Sequence, residues 1–195
     1  DAFGFGFFPG QFGMVVYSMY PIDMDALRSF QLFLWKDMPG AKVPIVPSSG
    51  TPFYSDQDLD LFRLSSKSHW DVPIAVAGST LHILAFHPTP PVFDGPEKRN
   101  ALRNFDEIRF WTEYLDSKSN GVFVDDQGRS GGFPAGEAFV LLGDINADPN
   151  DGDSLPGAAQ QLLNHPRINA SFTPVSTGAA AASEAQGGIN SKHKG

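Results

Sequence analysis

The stretch Phe139-Val140-Leu141-Leu142-Gly143-Asp144-Ile145-Asn146 joins an apolar run to a pair of polar side chains. The four apolar residues predict a buried strand, because Phe139 and Val140 favour strands, and the glycine that follows allows a sharp turn. Asp144 and Asn146 are two positions apart, so an extended or bending backbone points both side chains to the same side. The stretch therefore predicts an α/β sheet that holds a carboxylate and a carboxamide at a strand end, where open sheets usually place their chemistry.

The polar pair suits phosphate and metal chemistry. An Asp can hold a hard divalent cation or take a proton from water, and an Asn can donate to a phosphate oxygen while its carbonyl faces a metal. An Asx-type turn that merely caps the strand is the alternative interpretation of the same residues.

A second strand is predicted over residues 81–86, and it ends at His87. Pro88, Pro90 and Pro91 follow at once and prevent the strand from continuing. Two buried strands thus each deliver polar groups where they stop.

Together these residues resemble the motifs of the endonuclease/exonuclease/phosphatase family, the deoxyribonuclease I-like metal-dependent phosphoesterases. Residues 10–22 (GQFGMVVYSMYPI), His87-Pro88 and residues 143–146 occur in the family's order, and residues 87–109 resemble one bacterial branch. The resemblance implies an α/β fold in which two mostly antiparallel sheets pack as a sandwich with outer helices. It also favours a secreted or periplasmic location.

The resemblance further implies metal-dependent hydrolysis of a phosphoester by a water molecule in line with the leaving oxygen. Asp144 would orient or deprotonate this water, and Asn146 would hold phosphate or metal. His87 would hydrogen-bond a non-bridging oxygen or protonate the leaving group. Asp144 and Asn146 are the expected metal ligands, with Mg²⁺ the first expectation and Ca²⁺ or Mn²⁺ as alternatives.

Three further side chains are candidates for substrate binding. Arg99 and Arg103 lie in a polar run after His87, where they could grip phosphate oxygens, and His69 could face the cleft beside Trp70. The structural alternatives are arginines paired with loop carboxylates and a surface turn that carries a packed tryptophan.

Composition narrows the choice of substrate. The 195 residues fit one domain, and 41% of them are hydrophobic, enough for a sizeable core. A net charge of −8 argues against a broad basic surface, so small phosphomonoesters or phosphodiesters are favoured as substrates over long nucleic acid. A nuclease of the same family and a noncatalytic binding or structural module on this scaffold are the alternative functions.

The chain has no cysteine, which excludes thiol chemistry, and no apolar run long enough for a membrane span.

Two other elements are predicted from local pattern. Apolar residues recur every three or four positions over residues 105–115, which indicates a helix with Asn104 as its cap and Asp106 and Glu107 in its first turn. Residues 14–18 predict a buried strand.

The chain departs from the family pattern at both ends. Family members begin with strands that bear a metal-associated Asn and a Glu, and they close with a Ser-Asp-His element. None of the three is present, and His193 lacks the preceding Ser-Asp. We therefore expect residues 1–195 to be one partial domain, with the missing flanking parts as possible partners.

Overall fold

The computed structural model describes residues 6–116, 121–173, 175–188 and 191, and His193 lies outside them. The strands are β1 (Arg28–Ser29), β2 (His69–Val76), β3 (Ser79–Phe86) and β4 (Ala138–Leu142). The helices are α1 (Asp56–Leu59), α2 (Arg99–Leu115), α3 (Gln160–Leu163) and α4 (Thr177–Gln186), with a 3-10 turn at Trp35–Asp37.

The four strands form one mixed sheet in the order β1-β2-β3-β4. β2 and β3 are an antiparallel hairpin that turns at Ala77 and Gly78, both of which have positive φ, as tight hairpin turns require. β4 pairs with β3 in parallel, from Leu81 opposite Ala138 to Ala85 opposite Leu142. The carboxyl ends of β3 and β4 therefore lie side by side at one end of the sheet, where β2 also begins.

The long helix α2 covers one face of the sheet with aromatic side chains. Phe110 stacks on His69 of β2 with ring centroids 4.1 Å apart, and Trp111 meets Phe86 of β3 edge to face at 6.0 Å. Aromatic rings also extend this core away from the sheet, and each fully buried ring contributes roughly 1.5–3 kcal/mol. The rings with almost no exposure are Phe30, Trp35, Phe86, Phe110, Trp111, Tyr114 and Phe123.

The strands predicted over residues 81–86 and 139–142 are confirmed, and so is the α/β class. The predicted burial of residues 139–142 is wrong: β4 is an edge strand of this sheet, and on one of its faces Val140 is 41% and Leu142 49% exposed. The described residues form one sheet, so the second sheet of the predicted sandwich is not found among them. The strand predicted over residues 14–18 is wrong: the segment is irregular, with Val15 67% and Tyr17 91% exposed. Among the described residues, the chain first joins the sheet at Ile22, which forms an isolated bridge with Ile74. The apolar residues 14–17 before it therefore pair with no strand of the described sheet.

Helix α2 also begins earlier than its apolar pattern predicts. The carboxylate of Asp94 accepts hydrogen bonds from the backbone amides of Asn100 (2.7 Å) and Ala101 (2.9 Å), which supplies partners for the first turn. The predicted cap, Asn104, is therefore an interior residue. Asp106 and Glu107 are not in the first turn either, and both are fully buried.

The chain divides into two compact units, residues 1–162 and 163–195. The first unit holds the sheet, α2 and every residue of the candidate site. The second contains α4, an exposed helix whose Ser176 side chain accepts from the Ala179 amide. Among the described residues, no helix is long and apolar enough to cross a membrane.

Candidate functional site

The ends of β3 and β4 bring His87 and Asp144 together. Ala85 and Leu142 are the last register partners of the parallel pair, and each strand carries its polar residue two positions later. His87 Nε2 lies 4.0 Å from Asp144 Oδ2, too long for a direct hydrogen bond but short enough for both groups to contact one bound oxygen. Asp144 has 68% of its side chain exposed, so it is open to a ligand.

Gly143 allows this close approach. Its φ is +142°, and a Cβ built on it would collide with the carbonyl oxygen of Phe86, the residue before His87. The two strand ends can therefore come this close only with glycine at this position. The turn that sequence reasoning assigned to Gly143 is thus also a point of contact between the two strands.

Asn146 forms the Asx-type turn and also links the two strand ends. It has a φ of +51°, its amide donates to Asp144 Oδ1 (3.0 Å), and its side-chain Nδ2 donates to the carbonyl oxygen of Pro88 (3.1 Å). The turn leaves Asp144 Oδ2 directed toward His87. The Asx-type turn is therefore confirmed, and it leaves Asp144 Oδ2 free of this turn, so phosphate or metal chemistry by the pair stays a prediction.

His87 is held in a setting that disfavours its charged form. Partial burial and the nearby Lys67 lower its pKa, while Asp144 and a hydrogen bond with the Phe12 backbone act in the opposite direction. The net pKa lies below the ordinary value. His87 is accordingly a neutral imidazole at neutral pH.

Lys67 is the site residue that sequence reasoning missed. It precedes β2, whose start lies at the sheet edge where β3 and β4 end, and it is half-buried. Burial lowers the pKa of Lys67, with a further lowering by Arg103, whereas Glu107 and Asp144 act to raise it. A cation immediately before β2 was the available signal, but only the antiparallel register of β2 and β3, in which His69 pairs with Phe86, places it near the strand ends.

An apolar cleft opens beside the strand ends. It has a volume of about 320 Å³ and is lined by His87, Asp144, Leu142 and residues 14–17. A second cleft of about 600 Å³ is lined by Lys67, Trp70 and residues from 6 to 14. Polar reactive groups at the mouth of an apolar cleft fit a small-molecule site.

The other predicted substrate ligands have structural partners. Arg99 pairs with the carboxylate of Glu97, which is the loop pairing considered as an alternative. Arg103 is buried and donates to the carbonyl oxygens of Leu64 (2.8 Å) and Arg63 (2.7 Å). His69 is 1% exposed. Substrate binding by these three side chains stays a prediction. The partners and the burial that the structure shows for them do not favour it.

The oxygens of Asp144 and Asn146 fit a hard divalent cation in kind. Carboxylate and amide oxygens are its preferred protein ligands, and the Asn146 amide presents its carbonyl once its Nδ2 has donated to Pro88. Within residues 6–116, 121–173, 175–188 and 191, no three His, Cys, Asp or Glu side chains group around a common point. The pair therefore supplies part of an oxygen-ligand set.

The fold and the strand-end pair define an α/β protein with a polar site where two parallel strands end. Residues 1–189 match the family described as the Endonuclease/Exonuclease/phosphatase family, and the chain belongs to it. Members of this family are in general phosphoester hydrolases that depend on divalent metal ions. Neither the comparison with curated proteins nor the comparison with solved structures returned a match.

Proposed function

We propose that this chain hydrolyses small phosphoesters at the ends of β3 and β4, with Asp144 and His87 as its catalytic residues. The placement of these two side chains 4.0 Å apart at the mouth of a cleft is the observation that carries the proposal. A carboxylate and an imidazole at this separation can both contact one bound oxygen, such as the attacking water or a phosphoryl oxygen.

Asp144 orients the attacking water or accepts its proton, because its Oδ2 is exposed while its Oδ1 is fixed by the Asn146 amide. His87 donates a hydrogen bond to a phosphoryl oxygen. The lowered pKa of His87 favours this role over proton donation by an imidazolium, since the neutral form predominates at neutral pH. Asn146 holds the loop after β3 through Pro88 and leaves its amide carbonyl for a metal.

Asp144 and Asn146 are the residues that would hold a divalent cation, for which Mg²⁺ is the first expectation. When bound there, such a cation would neutralise the charge that develops on phosphoryl oxygens. Lys67 adds positive charge on the side of the site nearest the start of β2, where an anionic substrate would enter. The net charge of −8 favours a compact phosphoester over a long polyanion as the substrate.

The proposal is tested by turnover of p-nitrophenyl phosphate, bis-p-nitrophenyl phosphate and DNA by the native protein, with Mg²⁺ and with a chelator. Asp144→Asn and His87→Gln should each reduce the rate by roughly 10²–10⁴-fold while the fold is retained, because both side chains are at least partly exposed. Asp148→Asn is the matched control. Asp148 is also exposed, and it caps the amides of Asn150 and Asp151 without touching the pair.

Three results would contradict the proposal. Turnover that survives both substitutions would remove Asp144 and His87 from the mechanism. Preference for DNA over both small esters would favour a nuclease instead. No turnover with any substrate, combined with metal-independent binding of another protein, would favour the noncatalytic module.

A further inference from the structure

Asn104, in the second turn of α2, contacts the loops that follow both β3 and β4. Its side chain is fully buried, and Nδ2 donates to the carbonyl oxygens of Thr89 (3.0 Å), Ile145 (3.2 Å) and, at longer range, Asn146 (3.4 Å). Thr89 lies two positions after His87, and Ile145 directly follows Asp144. One amide group therefore binds the backbone beside each catalytic residue.

We propose that Asn104 is a positioning residue that fixes the separation of His87 and Asp144. This inference rests on the proposed function and deepens it, because the two groups can act on one phosphoryl centre only if their loops keep a set distance. Misplacement of a catalytic group by about 1 Å can cost on the order of 100-fold in rate.

Neighbouring hydrogen bonds make Asn104 part of a larger brace. One turn further along α2, Glu107 Oε2 accepts from the Thr89 amide at 2.6 Å. On the other side, Asn146 Nδ2 donates to Pro88. The loop after β3 is thus bound both by α2 and by the loop after β4. Of Asn104, Glu107 and Asn146, Asn104 is the side chain that donates to both loops.

The chemistry of Asn104 fits this role better than a purely stabilising one. Its acceptors are all carbonyl oxygens, so the position requires a side chain that donates more than one hydrogen bond without charge. Its own Oδ1 is buried and has no hydrogen-bond partner among the described residues, and leaving such an atom unpaired carries a desolvation cost. A buried polar side chain that bears this cost while its donors join two loops is typical of a functional site.

Asn104→Leu tests the inference because it keeps a similar volume and removes both donors. Asp106→Leu is the control: Asp106 is equally buried on the same helix, but it accepts from Trp35 Nε1 (2.8 Å), the Lys42 amide (2.6 Å) and the Arg109 guanidinium (2.8 Å), away from the catalytic loops. Asn104→Ala provides a second variant that cannot overpack the site. The measurements are kcat, KM and amide hydrogen exchange at Thr89 and Asn146 in the native protein.

We expect Asn104→Leu and Asn104→Ala to lower kcat by roughly 100-fold with little change in KM, and to speed exchange of the Thr89 and Asn146 amides at least about 10-fold. Asp106→Leu should lower the melting temperature yet keep kcat and the exchange of both amides. Equal kcat losses in the Asn104 and Asp106 variants, or unchanged exchange in both Asn104 variants, would overturn the inference. If the wild-type protein shows no turnover, the proposed function fails, and the exchange data decide by themselves whether Asn104 fixes the loops.

Discussion

His69 and His87 lie at the same end of the sheet in opposite environments. His69 begins β2 and pairs in register with Phe86, the residue before His87. α2 covers His69, whose Nε2 donates to the carbonyl oxygen of Glu107 at 2.8 Å, and burial lowers its pKa to about 4. His87 is only partly buried and faces the exposed carboxylate of Asp144.

The difference lies in the covering helix and not in the residue type. Where α2 packs on the sheet, the imidazole of His69 is a neutral core group, and a backbone carbonyl oxygen satisfies its hydrogen bond. Where the neighbouring strand β4 is followed by Gly143 and Asp144, an imidazole remains accessible to a ligand. A histidine at a strand end therefore indicates chemistry only when the next element leaves it open.

Gly143→Ala should cause the largest loss of stability among these predictions, because it disrupts the packing between the ends of β3 and β4 on the open side. A Cβ at this position would collide with the Phe86 carbonyl, and the positive φ adds strain, so the free energy of unfolding should fall by more than about 3 kcal/mol. Gly136→Ala is the control, since Gly136 has a φ of +82° but nothing near the added Cβ, and it should cost only about 1–2 kcal/mol. Urea unfolding measures both values, and equal losses would show that the contact with Phe86 does not matter.

The sequence predicted the two strands of the open side but not how exposed they are. Both apolar runs that stop at a glycine or a proline are strands, whereas β4, which was predicted to be buried, has Val140 and Leu142 exposed. The polar residues after them, His87 and Asp144, were correctly expected at strand ends. Their pairing across adjacent parallel strands depends on long-range register, which no local pattern contains.

The covered side could not be predicted in the same way. The start of α2 is set by Asp94, which lies outside the helical apolar pattern and caps it from the preceding loop. Asn104 was consequently interpreted as a cap, although it is a buried donor to two loops. Residues 14–18 show the converse error, because their apolar side chains predicted burial but Val15 and Tyr17 are exposed. Local propensity does not specify which partner, if any, covers a segment.

His69→Gln should produce the next largest effect, and it acts on the covered side. Because the folded-state pKa of about 4 is below the ordinary 6.5, the unfolded chain binds more protons between these values. The stability contributed by neutral His69 is therefore complete above about pH 6.5 and is lost as the pH falls toward 4, by up to about 3 kcal/mol. Glutamine keeps a donor for the Glu107 carbonyl but does not titrate.

The measurement is urea unfolding of the wild-type protein and the His69→Gln variant at pH 7 and pH 4.5. The wild-type protein should lose more stability over this interval, because groups other than His69 titrate equally in both proteins and cancel in the difference. If the two proteins lose the same free energy, His69 is not the buried neutral group that its contacts with Glu107 and Phe110 indicate.

Lys67→Met should have the smallest free-energy effect of these predictions. It tests how the two sides are connected, because Lys67 is adjacent in sequence to the buried Ser68 and His69 but acts on the pKa of His87. Loss of its charge should raise KM for a small phosphomonoester roughly 10-fold, about 1.4 kcal/mol, with a smaller change in kcat. Since Lys67 lowers the pKa of His87, the substitution should also raise that pKa, which NMR titration of the His87 ring measures without any substrate. Lys36→Met removes the same charge from an exposed pair with Asp60 and should change neither value. A raised KM without a shift in the His87 titration would place the lysine in substrate contact alone, whereas a shift without a change in KM would limit it to tuning the histidine.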